Sequence, residues 1–199
     1  MKKIIIGIIL LTTLFSCDGN SFVKPEVKTK IYDSKVVYLI AKQNQKKYKK
    51  YIKKSKYIIV IDYDLPYTEE RLWVYNTKTD EIIMKGEVSH ARRSGDPIAE
   101  KFSNKAGSNI SSKGSFVTLN SYKGKYGTAM RIRGLEKSVN NNAFKRNIVF
   151  HDKKDYTWSL GCFMTEKKTN KKLISLTKKG TFIYVHKTQL GHLPSGKSS

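Results

Sequence analysis

Residues 147–162 read NIVFHDKKDYTWSLGC, and this stretch indicates most about the fold of the chain. It joins an apolar run, Asn147-Ile148-Val149-Phe150-His151, to a polar loop and then to Ser159-Leu160-Gly161-Cys162. A short run of β-branched and aromatic residues predicts a buried strand. A loop that returns from the end of this strand to a Gly-Cys pair can place the imidazole of His151 against the thiol of Cys162. The stretch therefore predicts both a strand and a candidate reactive pair.

Similar short runs occur on both sides of this stretch, and glycine-containing turns separate them. An amphipathic pattern within 35–55 predicts one helix, and 171–178 predict a short helix that ends before Gly180. Short strands with few helices predict a mainly β domain, a β-sandwich or barrel-like architecture with a preceding N-terminal helix, over 56–188. Besides the strand at 147–151, strands are predicted at 57–62, 71–76, 81–84, 115–119, 129–132 and 181–185.

The N-terminal segment has the pattern of a secretory signal. Two lysines precede an apolar run from Ile4 to Phe15, which is shorter than the roughly 20 residues of a membrane-spanning helix. Leu14-Phe15-Ser16-Cys17 resembles the lipobox of bacterial lipoproteins, and this resemblance implies that Cys17 is lipidated and begins the mature chain. An ordinary cleaved signal with an incidental cysteine is the alternative.

The segments around the domain follow from this interpretation. We expect a lipoprotein signal peptide over 1–16, a polar tether over 17–34 and a tail over 189–199. The localisation that follows is extracytoplasmic, in the periplasm or cell envelope, as a membrane-anchored lipoprotein held through Cys17.

The composition restricts the partners. The chain has 39 Lys and Arg against 16 Asp and Glu, a formal net charge of +23, which attracts nucleic acid, anionic lipid or an acidic wall polymer. Because the segment 1–16 predicts export and the charge is spread over the chain, we expect retention at the cell wall and no nucleic-acid partner. The four histidines lack a tight ligand spacing, so we expect no metal and no other cofactor. We expect a monomer.

The two cysteines predict no disulfide, because each has a separate explanation. A histidine beside Cys162 would lower the pKa of the thiol by stabilising the ion pair. The amides around Gly161 and Cys162 could hold the oxyanion of a tetrahedral intermediate. The alternative is that Cys162 and His151 are ordinary buried residues. An exported free thiol is at risk of oxidation, which favours a thiol that is used.

Ordered motifs between Tyr57 and Lys187 extend this picture. They are Ile61-Asp62-Tyr63, Glu70-Arg71-Leu72, Ser89-His90-Ala91-Arg92-Arg93-Ser94-Gly95, Lys101 to Ser108, Ser111-Ser112-Lys113-Gly114, Tyr122 to Gly127, Arg133-Gly134-Leu135-Glu136, Asn140-Asn141-Asn142-Ala143, Arg146 to His151 and Ser159-Leu160-Gly161-Cys162. Together they resemble the YkuD-like murein L,D-transpeptidase catalytic domain, and more narrowly the less-studied second branch of that family.

The resemblance implies a role for each site residue. Cys162 would attack the carbonyl that precedes the D-residue of a peptidoglycan stem peptide, with His151 as the base. Ser159, Leu160 and Gly161 would form the turn that holds the cysteine and shapes the oxyanion site. His90 and Arg146 would support the site or bind substrate.

The resemblance also implies a function, a cell-wall acyl transferase that works through a thioester. Leu160 and Asp152 depart from the family pattern, which has histidine or an aromatic residue at the first position and usually glycine at the second. Two alternatives remain open, a non-catalytic peptidoglycan-binding lipoprotein and an L,D-carboxypeptidase.

Overall fold

The computed structural model describes residues 34–153 and 157–188. The predicted signal peptide, the lipidated Cys17, nearly all of the tether and the tail lie outside the described residues and stay predictions. In the part of the chain that is described, no helix is both long enough and apolar enough to cross a membrane.

The described chain is mainly β, as the sequence predicts. A short 3₁₀ helix at Lys49–Tyr51 follows the first α-helix, and a second lies at Arg92–Ser94. The regular elements are α1 (Ser34–Lys47), β1 (Lys54–Asp62), β2 (Leu72–Asn76), β3 (Glu81–Gly86), β4 (Gly114–Gly124), β5 (Gly127–Gly134), β6 (Val149–Asp152), β7 (Phe163–Thr165), α2 (Lys167–Thr177) and β8 (Thr181–His186).

All eight strands join one curled sheet, a half-barrel, in the order β3-β2-β1-β8-β4-β5-β6-β7. The pairs β1–β8 and β6–β7 are parallel, and the other neighbours are antiparallel. The chain therefore enters the sheet centre with its first strand and returns there with its last. This architecture confirms the predicted mainly β, barrel-like fold with a preceding helix.

The two faces of the sheet have different cores. The inner face packs against Leu173 and Ile174 of α2, and the outer face packs, over β1, β2 and β8, against Val37, Tyr38 and Ala41 of α1. Side chains alternate between faces along a strand. The inner-face residues of β5 and β6, which are Met130, Ile132 and Phe150, belong to the core under α2.

In each predicted helix one boundary is wrong by four residues or more. The first helix ends at Lys47 rather than continuing towards 55. The amides of Lys53 and Lys54 both donate to the Gly180 carbonyl at 3.0 Å, so the chain there already follows the turn before β8 and begins β1. The second helix begins at Lys167, four residues before the predicted start.

One strand was not predicted. Phe163–Thr165 forms β7, and three residues are too short a run to show an alternating pattern. Its partner β6 supplies the pairing that makes it a strand, with Phe150 opposite Phe163 and His151 opposite Met164. This missed strand carries the chain out of the turn that contains Cys162.

Candidate active site

The pairing of β6 with β7 brings His151 and Cys162 to the same region of the sheet. Phe150 lies opposite Phe163, so Cys162, one residue earlier, is level with Val149. Phe150 and Phe163 point into the inner core, which directs Val149 and His151 to the outer face. The same alternation, extended one residue before β7, places Cys162 on that face as well. Strand spacing and rise then separate the Cα atoms of Cys162 and His151 by about 8 Å. The two side chains can meet across that distance.

The thiol of Cys162 is half-buried and donates to the carbonyl oxygen of Asn147 at 3.5 Å. Among the described residues, no hydrogen bond joins this thiol to His151. Burial raises the pKa of Cys162, while the Val149 amide and the charge of Arg146 oppose the rise. The group is therefore a protonated thiol at neutral pH.

His151 is held by the backbone that follows it. Its Nδ1 lies 2.9 Å from the Asp152 carbonyl oxygen, which can only accept, so Nδ1 carries the hydrogen and Nε2 keeps its lone pair. The ring also stacks on Tyr126, with centroids 5.2 Å apart. Burial lowers the pKa of His151, while the carbonyl and carboxylate of Asp152 oppose the fall. The imidazole is therefore neutral, with Nε2 available as a base.

The Asp152 carboxylate does not orient this ring. It accepts a hydrogen bond from Asn170 Nδ2 of α2 at 2.6 Å, on the inner face of the sheet. The positive charge of Arg146 favours the thiolate form of Cys162 and so lowers the pKa of this thiol.

The turn before Cys162 is fixed by Ser159. Its hydroxyl donates to the Cys162 carbonyl at 2.7 Å and accepts the Gly161 amide at 3.0 Å. Gly161 has φ +132°, and a Cβ there would lie 2.7 Å from Ile148 Cδ1, so the position requires glycine. Because the Gly161 amide is engaged, an oxyanion would need the Cys162 amide or another donor. Leu160 is 61% exposed at the tip of the turn.

His90 supports this turn from below. Its carbonyl accepts the Ser159 amide at 2.9 Å, and its side chain is buried. Arg71 Nη2 approaches Nδ1 at 2.9 Å and Nε2 lies 2.7 Å from the Gly95 carbonyl, so His90 donates through Nε2 and accepts at Nδ1. With both ring nitrogens engaged, His90 fits the supporting role better than direct substrate contact.

Arg71 is a supporting residue that the sequence analysis did not select as a site residue. It is fully buried and donates to the carbonyls of Val88 and Leu65 as well as to His90. Burial lowers the pKa of Arg71 to about 10, so the guanidinium stays charged at neutral pH. The sequence feature that could have indicated Arg71 is a charged residue directly before the apolar run 72–75.

Arg146 braces the loop 103–112 against the turn. It donates to the carbonyls of Ser103 and Ile110, both at 2.6 Å, and to the hydroxyls of Ser112 and Ser108 at 2.7 and 3.3 Å. Its Nη2 would also lie 3.5 Å from a Cβ at Gly161. Arg146 therefore links a loop far away in sequence to the residue beside Cys162.

One cluster of the described residues has ligand-type atoms within 4.8 Å of one another, namely those of Asp62, Asp64 and His186. Lys187 Nζ lies 3.2 Å from Asp64 Oδ1 and already supplies a positive charge there. The cluster therefore carries no metal assignment.

A comparison of the sequence with protein families identifies the family to which this chain belongs. The model of the L,D-transpeptidase catalytic domain matches residues 24–186, more than half of the chain. The chain belongs to the L,D-transpeptidase catalytic domain family. No curated protein matches the sequence.

Several solved structures are similar to this L,D-transpeptidase domain. Bd1075 from Bdellovibrio bacteriovorus is 17% identical, with 66% of this chain and 48% of that chain covered and a TM-score of 0.45. L,D-transpeptidase 1 of Mycobacterium tuberculosis is 13% identical, with 66% and 62% covered and a TM-score of 0.41. The helical cell shape determining protein Pgp2 of Campylobacter jejuni, a mutant form, is 13% identical, with 70% and 49% covered and a TM-score of 0.49.

The chain spans less than two thirds of the length of each of these three proteins. Similarity at this level carries no information about substrate or catalytic residues. For this L,D-transpeptidase domain the roles of Cys162, His151, Ser159, Leu160, Gly161, His90 and Arg146 stay predictions.

Proposed function

We propose that this L,D-transpeptidase domain transfers acyl groups on peptidoglycan stem peptides through a thioester at Cys162. The observation that carries the proposal is the position of Cys162 directly before β7, at the edge of the sheet. Its thiol is half-buried at the end of a turn fixed by the Ser159 hydroxyl, directly before the strand that pairs with the strand of His151. An ordinary core cysteine needs neither a braced turn nor a base on the same face.

The reaction begins from a neutral thiol and a neutral imidazole. Nε2 of His151 accepts the thiol proton as Sγ forms a bond to the carbonyl carbon that precedes the D-residue. A backbone amide near Cys162 donates to the oxygen, which becomes negative. The intermediate then expels the amine of the D-residue, and the imidazolium returns the proton to that amine. A thioester remains on Cys162.

A second amine or a water molecule then attacks the thioester and restores the thiol. An amine gives a cross-link or attaches a protein to the wall, whereas water gives L,D-carboxypeptidase activity. Both acceptors lose a proton to His151 and release the acyl group from Sγ, so the described site serves either outcome.

A non-catalytic peptidoglycan-binding protein is the second candidate. The observations that favour it are the raised pKa of Cys162 and the lack of a hydrogen bond between the described thiol and imidazole. Both features lower the fraction of reactive thiolate. Under this candidate the positive surface would hold the protein at the wall without turnover.

Mass spectrometry after incubation with a carbapenem separates the two candidates. The β-lactam carbonyl is an acyl donor that a reactive thiol opens, so we expect a mass increase of one drug molecule on the peptide containing Cys162. Cys162→Ala is the control and should show no adduct. A native protein that stays unmodified, and that leaves stem peptides intact, would support the non-catalytic candidate.

The cellular location is proposed on the sequence pattern of 1–17. We infer that Cys17 is lipidated and that the domain works outside the cytoplasm. Cys17→Ala should move the protein from the membrane fraction to the soluble fraction. Unchanged membrane association of this variant in both low and high salt would contradict a lipid anchor.

A further inference from the structure

A basic groove lies on the outer face of the sheet, over β4 and β5. Its volume is about 620 Å³, within the range of small-molecule and peptide sites. We use "basic groove" for the space lined by Lys53, Arg131, Arg133 and Lys179, with Tyr51 and Phe144 among its other lining residues. None of these residues belongs to the catalytic assignments above.

The groove and the candidate site share one face of the sheet. Arg131 on β5 pairs with Val149 on β6, and Val149 is level with Cys162. Arg131 belongs to the outer face because its neighbours Met130 and Ile132 point into the inner core. Two strand spacings therefore separate the Cα atoms of Arg131 and Cys162, which is about 10 Å. An extended chain covers that distance with about three residues.

The positive charges in the groove are not compensated. No Asp or Glu lines it, and in the described part of the chain none of the four cationic side chains forms an ion pair. Four like charges in one concavity repel one another and produce a local positive potential. A ligand with negative charge relieves that repulsion.

Arg131 is positioned before any ligand arrives. Its guanidinium carbon lies 4.4 Å from the ring centre of Tyr122 and 5.9 Å from that of Phe144. These rings hold the planar guanidinium of Arg131 in place and leave its N–H groups free to donate to a ligand. Arginine binds a carboxylate with two parallel hydrogen bonds. Phe144 and Tyr51 are 43% and 41% exposed and offer apolar surface for the aliphatic parts of the same ligand.

We propose that the basic groove binds a carboxylate of the substrate peptide about three residues from the carbonyl that Cys162 attacks. The proposal rests on the proposed function and names the substrate class, an acidic peptide chain that extends from the thiol across β6 and β5. A flat anionic membrane is the alternative occupant, but a recessed groove on the same face as the thiol fits a chain that enters the reaction better.

The first experiment measures binding without turnover. The full chain with Cys162→Ala is titrated with two synthetic peptides that contain an L–D bond near the C-terminus. One has Glu three residues before that bond, and the other has Gln there. We expect the Glu peptide to bind about tenfold more tightly, the effect of a single charge-assisted contact. We also expect this preference to shrink as salt is added.

The second step adds variants of the groove and a matched control. Arg131→Gln with Arg133→Gln should abolish the preference for the Glu peptide. Lys171→Gln with Lys172→Gln removes the same net charge from exposed positions on α2 and should retain it. Circular dichroism checks that both double variants stay folded. If the groove variant misfolds, Lys53→Gln with Lys179→Gln tests the same groove from its other side.

Three results would overturn the proposal. Equal affinity of the native protein for both peptides would show that the groove does not bind the Glu carboxylate. An equal loss in the α2 control would assign the effect to net charge alone. Loss of binding to phosphatidylglycerol vesicles in the groove variant, with unchanged peptide affinity, would assign the groove to the membrane.

Failure of the enzyme proposal stays separate from these outcomes. Carbapenem acylation of Cys162 reports on the thiol and is measured on the native chain and the groove variant. A chain that binds the Glu peptide preferentially but is never acylated has the groove without the chemistry. A chain that is acylated normally but shows no preference has the chemistry without the groove.

Discussion

Arg146 is the residue whose replacement tests the site most sharply. Its guanidinium donates to two carbonyls and two hydroxyls of the loop 103–112, and its charge opposes the burial that raises the pKa of Cys162. Two substitutions separate these roles. Arg146→Lys keeps the charge and loses the planar fork, whereas Arg146→Gln loses both.

The structure gives the magnitude of the loss in stability. Either variant leaves the carbonyls of Ser103 and Ile110 without their short hydrogen bonds, and each unsatisfied buried acceptor costs about 1–3 kcal/mol. Arg146 is only half-buried, so water can replace part of the lost hydrogen bonding. We therefore expect the free energy of unfolding to fall by about 2–4 kcal/mol. At about 2–4 °C per kcal/mol for a domain of this size, the melting temperature should fall by about 4–16 °C.

The two variants should differ at the thiol. Without the positive charge the Cys162 thiolate is less stable, so Arg146→Gln should raise the pKa of Cys162 further above that of the native protein. Alkylation by iodoacetamide, followed on the peptide containing Cys162 as a function of pH, measures this. Arg146→Lys should melt early but keep a thiol pKa close to the native one. Equal alkylation profiles for all three proteins, or equal shifts in both variants, would refute the electrostatic role.

Three further predictions follow from the contacts around the site. Because burial raises the pKa of Cys162 and lowers that of His151, the rate at which Cys162 of the native protein is alkylated should still increase above pH 8.5. A rate that is constant from near pH 6 upwards would instead indicate a thiolate–imidazolium pair. Arg71→Met should cost about 3–5 kcal/mol in urea unfolding, since it removes the buried donor of three groups, while the exposed control Lys172→Met should cost little. Gly161→Ala should slow acylation of Cys162, because the new Cβ would clash with Ile148 Cδ1. Adding Ile148→Val removes Cδ1 and should recover part of the rate. If the rate does not recover, the whole effect comes from the backbone conformation at Gly161.

Sequence patterns predicted the fold where the local signal and the tertiary arrangement agree. The predicted strands 57–62 and 181–185 lie within β1 and β8, and the predicted strand 71–76 begins one residue before β2. The first helix was extended too far because Tyr48, Tyr51 and Ile52 continue the apolar spacing. The hydrogen bonds from Lys53 and Lys54 to Gly180, more than 120 residues away, end it, and no local pattern contains that information.

The candidate site also has a part that sequence patterns indicate and a part that they do not. The run from Asn147 to His151 and the tetrad Ser159-Leu160-Gly161-Cys162 are each continuous in the chain, so the sequence could indicate them. Arg71 acts on this site through His90, whose carbonyl holds Ser159, and these contacts join residues far apart in the chain. The basic groove likewise combines residues from the segment before β1, from β4 and β5, and from the turn before β8. Such features depend on strand order, which the sequence did not predict.

The charge state of the pair determines how substrate could activate this site. A thiolate–imidazolium pair is reactive before substrate arrives, but burial favours the neutral forms of both Cys162 and His151 here. The proton must then move as Sγ attacks, so the rate depends on how well the carbonyl is placed between the thiol and Nε2. A peptide held through a carboxylate about 10 Å away is placed by contacts that do not change during the reaction. In such a site, recognition at the basic groove and chemistry at Cys162 would be coupled through the position of the chain between them.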